Sequence, residues 1–108
     1  MKSYLFIESQ SAFEAADTPH VFALACDLSK QGNKVEIFLV QNGVMAARTG
    51  AKSGGLDTAL QAGVAVSADD FSMRERALAA SSLARGVKPA AIGRVIERMA
   101  EGWNVIWH

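Results

Sequence analysis

The first forty residues constrain the fold most, because they read as a strand, a helix and a second strand. An unbroken apolar run from Tyr4 to Ile7 ends at a polar turn, 8–11. Asp17-Thr18-Pro19 then offers a helix N-cap followed by proline in the first turn, and apolar residues recur at helical spacing. A second apolar run spans 34–41. Unbroken apolar runs are typical of strands covered on both faces, so this stretch predicts a parallel β–α–β crossover.

The rest of the chain continues this alternation. The predicted elements are a short helix 44–48, a helix 56–62, a strand 64–68, a helix that begins at Asp69-Asp70 and holds Phe71, Met73 and Leu78, a helix 90–101 after Lys88-Pro89, and a strand 103–107. Residues 79–88 fit a continued helix, a loop or a short strand near Val87. The pattern predicts one domain over 1–108, with a mainly parallel sheet of four or five strands between helix layers.

Composition and charge exclude several classes of function. Half of the 108 residues are hydrophobic, and 11 basic residues balance 11 acidic ones, which argues against a protein held to nucleic acid by phosphate contacts. Cys26 is the single cysteine, so no internal disulfide can form, and no Cys/His spacing suggests a metal site. With no visible signal segment and no membrane-length apolar stretch, we expect a cytoplasmic protein without cofactor, metal or membrane contact.

In an open α/β sheet, ligands bind beyond the carboxyl ends of the strands. This rule selects eight candidate ligand-binding residues: Glu8, Ser9, Asn42, Gly43, Asp69, Asp70, Phe71 and Arg76. Glu8, Asp69 and Asp70 could form an acidic metal-binding or phospho-acceptor pocket. Helix capping by the two aspartates is the interpretation that we favour, since acidic residues suit that position.

Other candidate groups have ordinary explanations. Four cations could bind an anion, although solvated surface charge is the favoured interpretation: Arg48, Lys52, Arg74 and Arg76. The stretch 50–53 lacks the spacing of a phosphate-binding loop. Cys26 lies in the middle of a predicted helix, far from its N-terminus, which favours a small buried hydrophobe over a reactive thiolate. His20 reads as a surface residue and His108 as terminal, so no Ser/His/Asp arrangement can be assembled.

Three segments resemble the DsrE/DsrF-like family of small sulfur-relay proteins: the strand 4–9, the stretch 35–44 with Asn-Gly-Val at its end, and the stretch 72–78 with its arginine, Arg76. The resemblance spans Lys2 to Trp107. It implies a flavodoxin-like, DsrE-like three-layer fold assembled as trimers or hexamers. Family members with a reactive cysteine carry persulfide sulfur toward tRNA thiolation or dissimilatory sulfur oxidation.

The resemblance also locates the family cysteine, which this sequence lacks. Alignment through Arg76 places the cysteine on Ser72 and an earlier one on Asp69, whereas a shifted alignment places it on Ser67. Ala77 stands where the family usually has glycine. Serine cannot hold a persulfide, because its hydroxyl is hardly ionised and offers no sulfur–sulfur bond.

Three hypotheses follow. The first is a non-catalytic DsrE-like module that binds itself, homologous relay subunits or a small ligand, with residues near Phe71, Met73 or Trp107 in an interface. The second is a sulfurtransferase that uses Cys26 or a cysteine-bearing partner subunit. The third is an unrelated small-molecule or nucleotide-binding domain on the same fold. We favour the first, and on it the chain is not an enzyme.

Overall fold

The computed structural model describes residues 1–51 and 54–108 and contains a five-stranded sheet in which every pairing is parallel. The strands are β1 (Ser3–Glu8), β2 (Lys34–Leu39), β3 (Ala65–Asp69), β4 (Val87–Ala90) and β5 (Asn104–Trp107). The α-helices are α1 (Thr18–Lys30), α2 (Leu56–Gln61), α3 (Asp70–Glu75) and α4 (Gly93–Ala100), and Gln41–Ala47 and Ala80–Ser82 are 3-10 helices. The predicted α/β sheet is thus confirmed.

The strand order β4-β3-β2-β1-β5 explains the two helix layers. The chain steps from β1 to β4 in one direction and then crosses back to β5 on the far side of β1. Right-handed crossovers therefore place α1 and α2 on one face and α4 on the opposite face. Two apolar clusters reflect this, one around Phe6, Phe22 and Ile37 and the other around Leu5, Phe38 and Val95.

The stretch that the sequence left open becomes a 3-10 turn and the strand β4. Lys88-Pro89, predicted to begin a helix, lies within β4, and α4 begins only at Gly93. Proline is tolerated here because β4 is an edge strand and needs fewer ladder donors. The helix α3 is also shorter than expected: it ends at Glu75, before Leu78, and Ala77 has a positive φ of 52°.

A buried ion cluster holds α4 against the sheet. Glu36, on β2, accepts hydrogen bonds from Arg94 Nη2 at 2.8 Å and from Arg98 Nε and Nη2 at 3.0 and 2.8 Å. Burial raises the pKa of Glu36, but the bonds from Arg98 and Arg94 outweigh it, so the pKa lies below its ordinary value. Arg98 also covers the ring of Trp103, 4.7 Å from its centroid.

Because the arginines point inward, most of the apolar stripe of α4 points outward. The sequence predicts that Ile92, Val95, Ile96 and Met99 share a core-facing side, but only Val95 is buried. Ile92, Ile96 and Met99 are 54%, 65% and 59% exposed, and we call these three residues the outer α4 surface. Within residues 1–51 and 54–108, no helix has the length and hydrophobicity to cross a membrane.

Replacing Glu36 by glutamine should lower the free energy of unfolding by about 2 kcal/mol at neutral pH, because two arginines lose a buried carboxylate. The folded-state pKa is depressed, so this contribution is present above about pH 4.5 and is lost as the pH falls through the folded value. Urea denaturation at pH 7 and pH 4 measures both effects.

The matched control is Glu101→Gln, since Glu101 also pairs with Arg98 but is half exposed. It should cost less than about 1 kcal/mol. Equal costs for the two variants would contradict the role given to Glu36.

Candidate functional site

The strand order gathers the carboxyl ends of all five strands at one edge and makes β1 and β5 neighbours there. This is the point where the chain reverses direction across the sheet, and such switch points are where open α/β sheets bind ligands. Glu8 ends β1, Asp69 ends β3, and the 3-10 helix with Asn42 and Gly43 follows β2. The predicted residues therefore lie at this edge.

Ser72, the first of the three positions (with Asp69 and Ser67) at which the resemblance leads us to expect the family cysteine, is held by hydrogen bonds within the protein. Its hydroxyl donates to Asp69 Oδ2 at 2.6 Å and accepts from the backbone N–H of Gln41 at 2.8 Å. Asp69 also accepts from the backbone N–H of Ser72 at 3.0 Å, so Asp69 is the N-cap of α3, as the capping interpretation predicts. Ser72 is 3% exposed, and its hydroxyl ties the β2 turn to α3.

Arg76 and Asn42 are bonded to one another across the edge. The Nε and Nη2 atoms of Arg76 donate to Asn42 Oδ1 at 3.1 and 2.9 Å, and Nη1 donates to the carbonyl of Ser72 at 3.1 Å. Asn42 in turn donates to Glu14 Oε2 at 3.2 Å, and Glu14 Oε1 accepts from the N–H of Ser11 at 2.9 Å. Arg76 thus connects the turn after β2 to α3, a role that uses three of its five N–H donors.

Gly43 lies directly against the end of β1. A Cβ atom at this position would collide with the backbone carbonyl of Glu8, which already accepts a bond from Val40 N at 2.9 Å. The Asn-Gly-Val segment therefore has glycine at its centre for a steric reason.

His108 lies at this edge although the sequence did not predict it as a site residue, because it reads only as terminal. Its Nδ1 lies 2.8 and 3.0 Å from the two carboxylate oxygens of Glu8, whose side chain is fully buried. Its Nε2 lies 2.9 Å from Asp17 Oδ2. Asp17 stands at the N-cap position of α1 but makes no capping bond. Only the pairing of β1 with β5 places His108 beside Glu8, and the sequence alone does not reveal this strand order.

Main-chain bonds fix His108 in this position. Its N–H donates to the carbonyl of Ile7 at 2.9 Å, and its carbonyl accepts from Ser9 Oγ at 3.1 Å and Gln10 Nε2 at 2.8 Å. Hydrogen bonding to Asp17, then to Glu8, raises the pKa of His108 against the opposing effect of burial. The same bond to His108 lowers the pKa of Asp17.

The acidic pocket considered from the sequence does not form. The carboxylate of Glu8 contacts His108, and that of Asp69 accepts a hydrogen bond from Ser72. Asp70 forms an ion pair with Arg74 at the surface, at 3.8 Å. In the part of the chain that the structure describes, no three acidic, histidine or cysteine side chains are placed to hold a metal ion.

The remaining candidates lie elsewhere. Cys26 is 5% exposed and packs in the core cluster beneath α1, on the face opposite α4. Ser67 is half-buried within β3, and Arg48 donates from Nε to the carbonyl of Met45 at 3.1 Å. Lys52 and the end of the stretch 50–53 fall outside the described residues. Trp107 is 63% exposed, so the single chain does not take it into its core.

A parallel sheet with this order, an aspartate N-cap on the helix after β3 and an Asn-Gly turn after β2 define a small three-layer α/β protein. The model of the DsrE/DsrF-like family matches residues 2–108, and the chain belongs to this family. The resemblance given by the sequence is thereby confirmed.

Solved structures agree on the fold. The chain is similar to the ychN protein from E. coli, with a TM-score of 0.86, 17% identity and complete coverage of both chains. It is also similar to MTH1491 from Methanobacterium thermoautotrophicum, a protein of unknown function (TM-score 0.77, 22% identity, 97% of this chain and 96% of that chain). BT1422 from Bacteroides thetaiotaomicron gives a TM-score of 0.73 at 18% identity, over 98% and 95% of the chains. No curated protein matches the chain.

Gly43→Ala should lower the free energy of unfolding by about 2 kcal/mol or more, because the new methyl group must displace the β1 backbone. Thermal or urea unfolding measures the change. Gly93→Ala is the matched control: a Cβ there meets open space, so this variant should be neutral or slightly stabilising. A neutral Gly43→Ala would show that the turn is not held against Glu8.

His108→Gln should destabilise the protein more at pH 5.5 than at pH 8.5. The imidazolium donates from both ring nitrogens to Glu8 and Asp17, whereas the neutral ring donates from only one. Because the folded-state pKa is raised, the contribution is fully present below about pH 6.5 and is lost as the pH rises through the folded value.

Urea unfolding curves at the two pH values test this. The control is Asn104→Gln, a change to glutamine on β5 at a side chain that carries no titratable group, which should show no such difference. A His108→Gln effect that is independent of pH would contradict the charged contact.

Proposed function

We propose that this chain is a non-catalytic, DsrE-like binding subunit that joins copies of itself or cysteine-bearing relay subunits. On this proposal it presents a small ligand or a partner at the strand-end edge, and it is not itself a sulfurtransferase. Its single cysteine, which cannot form an internal disulfide, fits a place in the cytoplasm.

The observation that carries the proposal is the state of Ser72. Its hydroxyl both donates and accepts within the protein, so it is committed to Asp69 and Gln41 rather than offered to a substrate. Serine also lacks the sulfur chemistry that relay transfer requires. Cys26, the alternative carrier, is buried among core side chains on the other face of the sheet, which supports a packing role.

The outer α4 surface supports self-association. Three large apolar side chains are exposed there, and the edge strand β5 adds Val105 on the same side of the sheet. Contiguous exposed apolar surface of this kind marks interaction sites. The zero net charge imposes no long-range repulsion between copies, so a second copy is the occupant that we propose.

The prediction that Met73 lies in an interface is wrong. Met73 is 3% exposed and belongs to the core cluster beneath α1. Phe71 and Trp107 are exposed and stay candidates for the rim of the interface. The copy number, three or six, follows from the family resemblance and is part of the proposal.

Light scattering at micromolar concentration tests the assembly. We expect a defined oligomer for the wild type and a monomer for Ile96→Asp, because a carboxylate at the centre of the outer α4 surface cannot be buried unpaired. Leu24→Asp is the matched control, since Leu24 is an exposed apolar residue on α1 at the opposite face. It should leave the oligomer intact. A monomeric wild type, or equal effects of both variants, would contradict the proposal.

A further inference from the structure

A cleft of about 350 Å³ opens at the strand-end edge on the α4 side of the sheet. Its floor is Val40 and Gln41 at the end of β2, Ile92 closes one side, and Phe71 and Trp107 stand at its walls; Asp69, Ser72 and Glu75 complete the lining. Gln41 holds a positive φ of 51°, an unfavourable conformation for a residue with a side chain, and such strain is concentrated at functional sites.

The charge of the lining has one sign. Asp69 and Glu75 are acidic, and no basic residue lines the cleft. Asp69 is 7% exposed, and in residues 1–51 and 54–108 neither carboxylate has a lysine, arginine or histidine within ion-pair distance. The hydrogen bonds from Ser72 at the N-terminus of α3 stabilise Asp69 but supply only partial positive charge, not a full counter-ion. A nearly buried carboxylate without a counter-ion is stabilised by a cation that enters beside it.

The aromatic walls favour the same kind of ligand. Phe71 and Trp107 are 57% and 63% exposed, which is more than is usual for large aromatic side chains in a folded protein. Aromatic faces attract cations. The Phe71 ring already has the guanidinium of Arg74, from outside the cleft, 6.0 Å from its centroid, whereas in residues 1–51 and 54–108 no arginine or lysine lies over the Trp107 ring, which is therefore the main aromatic contact for a ligand. Two exposed rings and two carboxylates around one cleft are the components of an ammonium-binding cage.

We propose that this cleft binds a small organic cation, an ammonium group on a short apolar body. The ammonium group lies between the rings and the carboxylates of Asp69 and Glu75, and the apolar body contacts Val40 and Ile92. This inference rests on the proposed function and names the ligand class of the binding subunit. The same charge disfavours a nucleotide or another anion in this cleft.

Titration with choline chloride, followed by the two tryptophan indole N–H signals in nitrogen-15 NMR spectra, tests the proposal. Choline should shift the signal of Trp107 with roughly millimolar affinity and leave that of Trp103 unmoved. Trp103 lies under Arg98 outside the cleft and is an internal control, and Trp107→Phe assigns the two signals. Sodium chloride at the same concentration corrects for ionic strength.

Three comparisons separate a cation site from an ordinary apolar one. The uncharged isostere of choline, 3,3-dimethylbutan-1-ol, should bind at least about threefold more weakly, and sodium phosphate should not shift Trp107. Glu75→Gln should weaken choline about threefold, whereas Glu97→Gln, the same change on exposed α4 outside the cleft, should not.

Equal binding of choline and the alcohol, or no shift of Trp107 with choline, overturns the inference. Either result leaves the proposed subunit function standing if the wild type still forms its oligomer and Ile96→Asp dissociates it. Choline binding together with a monomeric wild type would instead support the cleft and reject the assembly.

Discussion

The carboxylate of Glu36 lies on the sheet beneath α4, where an isolated negative charge would be costly. Arg94 and Arg98, one helical turn apart, meet it from the same side of α4. This pairing decides how α4 is rotated, because the side that carries the arginines must face the sheet. The isoleucines and the methionine are then left outside. One buried ion cluster thus accounts both for how α4 is attached and for the apolar surface that the molecule presents.

The strand-end edge is organised by polar bonds rather than by a reactive group. Ser72, Asn42 and Arg76 connect the turns after β2 and β3, and His108 connects the end of β5 to β1 and to the start of α1. The Ser72 hydroxyl at this edge donates to Asp69 and accepts from the backbone of Gln41, so its hydrogen bonds are made within the protein. The edge keeps a cleft with acidic and aromatic walls, which suits recognition better than transfer.

Local sequence signals were sufficient where local interactions decide the structure. The first crossover, the capping role of Asp69 and the position of Asn42 and Gly43 at the edge all follow from turn residues and apolar runs a few residues long. The sequence also located Ser72, although its bond to Gln41 joins residues 31 positions apart and was not predictable.

The predictions that were wrong concern residues whose structure depends on distant parts of the chain. Pro89 reads as the start of a helix until one knows that β4 is an edge strand. The apolar stripe of α4 reads as core until one knows that Glu36 requires the arginines. His108 reads as a free terminus until the strand order brings β5 beside β1. In each case the decisive partner lies far away along the chain, and only the assembled sheet supplies it.

Intact-mass analysis after incubation with a persulfide donor shows whether this family member carries sulfur. Cys26→Ser is the control variant, and urea-unfolded wild type shows that an exposed Cys26 can react. We expect no reductant-sensitive gain of sulfur by the native wild type and a gain by the unfolded chain. A gain by the native protein that reductant removes and Cys26→Ser abolishes would contradict this expectation.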